Sequence, residues 1–446
     1  MVHVIRYSVL AVLGLVFALG ATDLRTDVCV VGGGSGGIGA ALAAAREGAN
    51  VVLVEKLPVL GGTSAAGFVS LLSGPGDAFA REIYLELKRQ GQAGVTRRFG
   101  KVPFHCWSID PKLTYDSTLM FRGNRLAFDP ATYSATVLGM LRKEGVQVLL
   151  NTTFTEAGTA GKRVQSIQAV AKDGTEYRIE AKVFVDATGD VYLCRAAGCE
   201  TEIGPGLNGV TLCYRVRKGG EEHPDVATAR PIRRSSCNHQ LPNGDRLINM
   251  LPTMDGDEFL KLGYEKALKT CRTRILRHWA FLSNGPGEWR DYRFVEAAPI
   301  LGIREGYRIV GEYVLASKDL QQGILEQGHP DMIALASHAV DVHGANRKKV
   351  KHLKVKPYGI PYRCLIPKGW DNLLVACRGA SFDRVAASSV RLSRTMLWLG
   401  HAAGVGAALA AKEDMAVGEV DAAKIRQRTG MDAESVRKLI ARERHR

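Results

Sequence analysis

The sequence contains no Cys-x-x-Cys pair, although it carries nine cysteines, at positions 29, 106, 194, 199, 213, 237, 271, 364 and 377. That absence and their scattered spacing exclude a structural zinc site, a redox dithiol and an iron–sulfur cluster, and no metal site is expected. An odd count is no disulfide framework either. Cys194 and Cys199 are the nearest pair for a bridge, and Cys29 reads as a small core residue. There is no internal repeat and no low-complexity tract, which excludes a repeat array and a biased, unfolded chain. Acids are in short supply: 45 Asp and Glu face 60 Lys and Arg, a formal charge of +15. The basic residues gather around Arg215–Arg234, Lys266–Arg277 and 346–356. Such a surplus suits an anionic partner (a substrate, a membrane surface, a cell-wall polymer or nucleic acid), or simply a solvated basic surface. No run is long enough, or interleaved enough with aromatics, to make a nucleic-acid site.

At 446 residues the chain can build two or three domains' worth of core, and 46% apolar with 24% charged residues is an ordinary globular composition. The first residues are of another kind. Arg6 precedes an almost unbroken apolar run from Val9 to Leu19, and Ala18, Gly20 and Ala21 supply small residues suited to cleavage. This is signal-peptide anatomy over residues 1–21, with an apolar core short for a membrane span. No twin arginine precedes the run, so the expectation is Sec-type export to a secreted or periplasmic location. An uncleaved anchor over residues 8–20 is the alternative. The single N-x-T sequon, Asn151-Thr152-Thr153, is a glycan site or chance.

From Asp27 to Glu55 the chain reads DVCVVGGGSGGIGAALAAAREGANVVLVE. An apolar run, Val28–Val31, feeds a glycine-rich turn, then the small-residue helix Ile38–Arg46, then a second apolar run, Val51–Val54, ending in an acid. This β-α-β unit holds Gly32, Gly34 and Gly37 in G-x-G-x-x-G register. Gly32 permits the tight turn, Gly34 lets the backbone approach a pyrophosphate, and Gly37 lets the helix pack closely on the sheet. A pyrophosphate would sit on the unpaired N–H groups at the helix start, beside Ser35, and Glu55 is placed to accept hydrogen bonds from an adenosine ribose, with Lys56 next to it. The fingerprint alone leaves NAD and FAD both open.

After Glu55, Gly61-Gly62-Thr63-Ser64 form a small, hydroxyl-bearing loop able to crowd a bound cofactor. Phe79–Gln90 reads as an amphipathic helix, and Arg97–Phe128 as an irregular, aromatic and polar segment. Asp129 caps a helix from Pro130 to Lys143. Strands follow at Val146–Asn151, Arg163–Ala171 and Glu176–Ala181. Val183–Asp190 is then a buried strand that breaks into Ala187-Thr188-Gly189-Asp190. Residues 200–350 show neither steady alternation nor a βαβ rhythm and read as a second, substrate-facing domain. Within them Pro299–Glu305 leads into a helix expected over Tyr307–Ala316. Tyr358–Ile366 and Asn372–Ala376 look like strands, Ala380–Val385 like a loop, and Ser388–Lys412 like one long small-residue helix. The tail from Val417 is charged and helical.

Taken together, these blocks resemble the FAD-dependent oxidoreductases of the glutathione-reductase-like type. The resemblance is nearest to the broad FAD dependent oxidoreductase family, which is akin to fumarate reductase flavoproteins and the flavin part of heterodisulfide reductase. It runs roughly from Thr26 to Lys412. It rests on the fingerprint through Glu55, Gly61-Gly62-Thr63, VDATGD at 185–190 and LGIREGYRIVGEY at 301–313. Asp341-Val342-His343, IPYRCLIP at 360–367 and NLLVACRGAS leading to GHAAGVGAALA complete it. The resemblance implies an α/β fold: a Rossmann-like, three-layer FAD-binding domain with an inserted α+β substrate domain. The FAD-binding parts would be residues 22–100, 129–200 and 356–415. Substrate parts would be 101–128 and 201–355, and a helical tail would occupy 416–446. It also implies that Ala187, Gly189 and Asp190 lie near the adenosine and pyrophosphate. Arg378, Gly379 and the stretch with Ala403 and Gly404 would lie near the flavin ring, toward which the last helix points its positive end. Two departures touch substrate class and redox tuning: the arginine-rich helix usual in the family is thinned to Arg304, Glu305 and Arg308, and Cys377 and His401 replace a small residue and an amide. No histidine stands near Gly62-Thr63-Ser64, where fumarate reductase relatives attach their flavin, so non-covalent FAD is expected.

Flavin chemistry asks a protein for a base near the reacting carbon and positive charge near the ring. His343, two residues from Asp341, is the candidate base, the alternative being a surface pair on one strand face. Arg304 and Arg391 are candidates to bind an anionic substrate or the flavin phosphates, or to pair with Glu305 or Asp383. His239, His338 and His401 are weaker candidates. The expected reaction is hydride transfer from a CH–OH, CH–NH or CH–CH donor to FAD, with oxygen, a quinone or a small carrier as final acceptor. A flavin protein docking to nucleic acid, as in tRNA modification, and a non-catalytic anchored flavoprotein are the alternatives.

Overall fold

The two apolar runs of the fingerprint become neighbouring parallel strands, with Val28 opposite Val51 and Val31 opposite Val54. All eight residues are buried, as strands covered on both faces must be. The computed structural model describes residues 21–101, 104–115, 125–204, 207–344, 353–431, 437 and 441. The signal-peptide run before residue 21, most of the basic stretch 346–356 and most of the tail beyond Met431 lie outside them.

The first strand, Thr22–Val31, is the hub of a seven-stranded sheet. On one side lie Val51–Val54 and Gln147–Leu149, both parallel. On the other lies Glu176–Asp186, a single continuous strand where the sequence suggested two. That strand changes partner along its length. Residues 176–180 pair antiparallel with Arg163–Ala171, and Phe184–Asp186 pair parallel with Leu373–Val375. The C-terminal third of the chain is thereby stitched beside the N-terminal unit.

Two helices cross against this sheet almost without side chains between them. A Cβ on Gly400 would lie 2.0 Å from the Gly36 carbonyl oxygen, and one on Gly404 would lie 2.2 Å from that of Ala40. The small-residue run therefore serves backbone-to-backbone packing of helix Ser393–Glu413 on helix Ser35–Arg46. The expected single helix over Ser388–Lys412 is broken. Arg384–Val390 ends first, Leu392 is extended, and the long helix restarts at Ser393.

A second sheet of eight strands carries the other domain. Its order is Tyr292–Ala297, Cys213–Lys218, Arg246–Met250, Ser236–Gln240, Phe104–Ile109, Ala93–Lys101, Arg125–Phe128 and Leu71–Leu72. Helix Tyr264–Ser283 covers it, burying Ala267, Cys271, Ile275 and Trp279 at helical spacing. The segment Arg97–Phe128, expected to be irregular, thus supplies central strands. The sheet also recruits Leu71–Leu72, which lies before the boundary drawn at residue 100, and Ala93–Lys101, which crosses it.

The helix expected over Tyr307–Ala316 is absent. Arg308–Ile309 is instead a short strand beside Thr201–Glu202. Its neighbours donate to distant carbonyls: Ile309 to Gly379, Val310 to Glu200, Glu312 to Ile366 and Leu315 to Ser381. Tertiary hydrogen bonds have overridden a local apolar pattern. All nine cysteines are free thiols, so Cys194 and Cys199 are not bridged.

Helix propensity alone favours alanine over glycine by about 1 kcal/mol. Gly139 is exposed in helix Pro130–Lys143 with nothing near its missing Cβ, so Gly139→Ala should stabilise by about that amount. Gly404→Ala should do the reverse, costing about 1–3 kcal/mol through the contact with Ala40. Denaturant unfolding of the two variants checks the opposite signs.

Candidate functional site

One large cavity of about 1090 Å³ opens between the two sheets and is lined from both. That is just above the ~300–1,000 Å³ range of ligand pockets and leaves room for a dinucleotide with a substrate. At one end lies the fingerprint turn. Gly32 has φ of +105°, and a Cβ there would stand 2.5 Å from the Ala187 carbonyl oxygen, so only glycine fits. Gly34 is the N-cap of helix Ser35–Arg46 and offers no side chain to its first N–H groups. A Cβ on Gly34 would meet nothing, so the helix start faces open cavity. Unpaired N–H groups at an open helix start are a cradle for phosphate.

Glu55 sits at the end of the second strand with its carboxylate accepting from the N–H groups of Gly33 (2.6 Å) and Leu57 (2.8 Å). Burial raises its pKa, against those two hydrogen bonds. Lys56, Gly62, Thr63 and Ser64 line the same end, as do Gly32, Gly34 and Ser35. Gly37 does not reach the cavity; a Cβ there would collide with the Gly32 carbonyl, the close-packing role expected of it.

The loop after Glu176–Asp186 is shaped by Asp186, which the sequence did not single out. Fully buried, it accepts from Thr188 N–H, the Thr188 hydroxyl and Cys194 N–H. This folds Ala187, Gly189 and Asp190 onto the cavity wall. Arg378 reaches across to Asp190 at 2.9 Å and donates to the Ile303 carbonyl. The second carboxylate oxygen of Asp190, Oδ1, is buried against Gly306 and has no hydrogen-bond partner among the described residues. The open helix start at Gly34, with no side chain to cap it and no Cβ in the way, fits the pyrophosphate of a flavin dinucleotide. Ala403 and Gly404, expected near the ring, lie further along their helix against helix Ser35–Arg46. The residues of that region that line the cavity are Leu392, Ser393 and Met396, at the helix start.

The three candidates for catalysis all line the cavity and stand together. His343 Nε2 lies 2.9 Å from Asp341 Oδ1, and Arg391 Nη2 lies 2.7 Å from Asp341 Oδ2. Arg391 thus pairs with Asp341 and not with Glu305 or Asp383. Arg304 donates to the Gly209 carbonyl and the Thr211 hydroxyl. Burial, aided by the charge of Arg391, lowers its pKa to about 10. Burial opposes ionisation of Asp341, but the His343 hydrogen bond and the Arg391 guanidinium hold it well below the ordinary carboxylate range. Burial lowers the pKa of His343, with Asp341 opposing.

Of the weaker histidines, His338 lines the cavity, whereas His239 is buried in the sheet opposite Trp107. His401 is remote from it, bonded to Asp77 and stacked on Phe79 at 3.9 Å. Arg98, His105 and Arg125 reach the cavity from the eight-stranded sheet and do not stand out in the sequence. The two-residue spacing of Thr96, Arg98 and Gly100 was the signal that could have placed them on one strand face.

The fold is similar to that of solved proteins of low sequence identity. A geranylgeranyl bacteriochlorophyll reductase-like protein from Thermoplasma acidophilum matches with a TM-score of 0.52 at 12% identity, over 94% of this chain and 97% of that one. A flavoprotein/dehydrogenase from Cytophaga hutchinsonii matches at 0.47 and 14%, over 87% and 79%. In sequence, the chain is 27% identical over 186 residues to the NADH:fumarate oxidoreductase of Klebsiella pneumoniae (strain 342). That stretch is 36% of this chain, and it spans only 20% of that protein's length. The family model for "FAD dependent oxidoreductase" matches residues 27–230 and 211–429. The matched span takes in the glycine turn, the Asp186–Asp190 loop and the closing helix that build the dinucleotide end of the cavity, and the chain belongs to the FAD-dependent oxidoreductase family.

Proposed function

We propose that this FAD-dependent oxidoreductase takes a hydride from a CH–OH, CH–NH or CH–CH donor of a small organic substrate, with His343 as its acid–base group and FAD held non-covalently. The observation that carries the reading is the Asp341–His343 pair at 2.9 Å, opening on the same cavity as the dinucleotide cradle. When bound, FAD supplies the two-electron acceptor.

The protein's own part follows from charge and geometry. Asp341 fixes Nε2 of the imidazole, which leaves Nδ1 to exchange a proton with substrate. Because burial depresses its pKa, the imidazole is neutral at neutral pH and able to accept that proton. The ionised Asp341 then stabilises the imidazolium formed, and Arg391 holds Asp341 in its orientation. The turn at Gly32–Ser35 and the Asp190–Arg378 pair bind and orient the dinucleotide.

Purified protein should be yellow, and Asp190→Ala should weaken FAD binding by roughly tenfold, measured by titration of the flavin-free protein. Protein that stays colourless and refuses FAD would sink the reading. Bleaching by a panel of sugars, hydroxy acids and amines identifies the donor. His343→Ala should keep the colour and lose bleaching; retained turnover would refute the assignment. With that donor, the acid limb of the pH–rate profile should fall below the ordinary imidazole value of about 6.5. Asp341→Asn removes an anion that favours imidazolium, so the limb should move further toward acid.

A further inference from the structure

Four arginines reach the cavity from the substrate side, and their donors are unequally engaged. Arg304 and Arg391 spend donors on Gly209, Thr211 and Asp341. Arg98 and Arg125 differ. Along the strand ladder Arg125 stands opposite Thr96, Arg98 opposite Trp107, and His105 opposite both Gly100 and Cys237. Residues two apart on a strand, or directly opposite across a ladder, share a face. Arg98, His105 and Arg125 accordingly line one wall of the cavity. Arg97, one residue away on the other face, is neutralised by Asp110 at 2.9 Å.

Among the described residues, neither Arg98 nor Arg125 has a carboxylate partner. The half-buried Arg125 lies over Trp107, its guanidinium carbon 4.4 Å from the ring centroid. Nδ1 of His105 is buried and has no hydrogen-bond partner among the described residues. The acids that line the cavity are all engaged elsewhere: Glu55 by backbone N–H groups, Asp190 by Arg378, and Asp341 by His343 and Arg391. Burial lowers the pKa of Arg125, with Cys237 and Asp341 opposing and Arg98 adding a smaller push downward, and burial with both arginines lowers that of His105. Two like charges on one strand face, Arg125 half-buried and Arg98 exposed, gain from a ligand that brings the opposite charge.

We propose that Arg98, His105 and Arg125 form an oxyanion-binding wall that holds the acidic group of the substrate, a carboxylate or a phosphate. The substrate's identity as a hydride donor rests on the oxidoreductase reading; the anion site rests on the sheet face itself. Two guanidinium forks match the planar oxygens of such a group, and His105 adds a third donor. Trp107 fixes the plane of the Arg125 guanidinium by lying beneath it. Arg304 and Arg391, the arginines that stand out in the sequence, then serve as positioning residues that hold the loop at Gly209 and the Asp341 carboxylate.

The test is a titration of the full chain with inorganic phosphate and with acetate, at constant ionic strength held with chloride. Tryptophan fluorescence reports binding, and the flavin difference spectrum reports it on the yellow protein. The expected result is saturable binding of at least one probe, weakened roughly tenfold or more by Arg98→Gln and by Arg125→Gln and unchanged by Arg97→Gln. The tighter probe names the acid as phosphate or carboxylate. Arg98 is exposed, so its variant keeps the test sharp where Arg125→Gln fails to fold. No saturable binding of either probe, or curves that R98Q leaves unaltered, overturns the wall. Fluorescence needs no flavin. Colourless protein that binds an oxyanion therefore removes the oxidoreductase reading and keeps the wall, and yellow protein blind to both probes does the reverse.

Discussion

The site depends on the direct backbone contact between helix Ser35–Arg46 and helix Ser393–Glu413. Gly36 meets Gly400 and Ala40 meets Gly404 with no room for a Cβ. This contact brings the start of helix Ser393–Glu413 to the cavity through Leu392, Ser393 and Met396. Close-packed interiors transmit displacement, so a methyl group's thickness at the crossing would be felt at the ligand end. The glycine content that looked like a cofactor signature is therefore split between two duties. Gly32 and Gly34 shape the cavity; Gly400 and Gly404 set how closely helix Ser393–Glu413 packs on helix Ser35–Arg46.

Much of the dinucleotide end was legible because its chemistry is local. A tight turn, an open helix start and a terminal acid all fall within Asp27–Glu55, where spacing alone dictates geometry. The Asp190 loop was equally readable from Ala187-Thr188-Gly189-Asp190. What failed was wherever distant backbone decided the outcome. Tyr307–Ala316 has the apolar content of a helix, yet its N–H groups are claimed by Glu200, Ile366, Gly379 and Ser381. Arg97–Phe128 reads as irregular, yet it forms the middle of a sheet because Ser236–Gln240 pairs with it in parallel from far along the chain. No window of sequence contains that partner.

The candidate chemistry shows the same division. The proximity of Asp341 to His343 was readable because two residues separate them. The pairing of Arg391 with Asp341 was not, since it joins a loop to the bend between two helices. Sequence alone also ranked arginines by motif. The structure ranks them by whether their donors are already engaged, and that ordering moves attention from Arg304 and Arg391 to the strand face of Arg98 and Arg125.

The partner change along Glu176–Asp186 bears on how the chain is made. Its first half finds Arg163–Ala171 at once, through the turn at Asp173-Gly174, whereas Phe184–Asp186 must wait for Leu373–Val375. During synthesis the glycine turn and its acid are complete long before the strand and helix that enclose them. Pairings of such sequence separation close late and slowly. The cavity is thus complete only once the chain has been made through Met396, and a ligand that needs both walls discriminates such chains from shorter nascent forms.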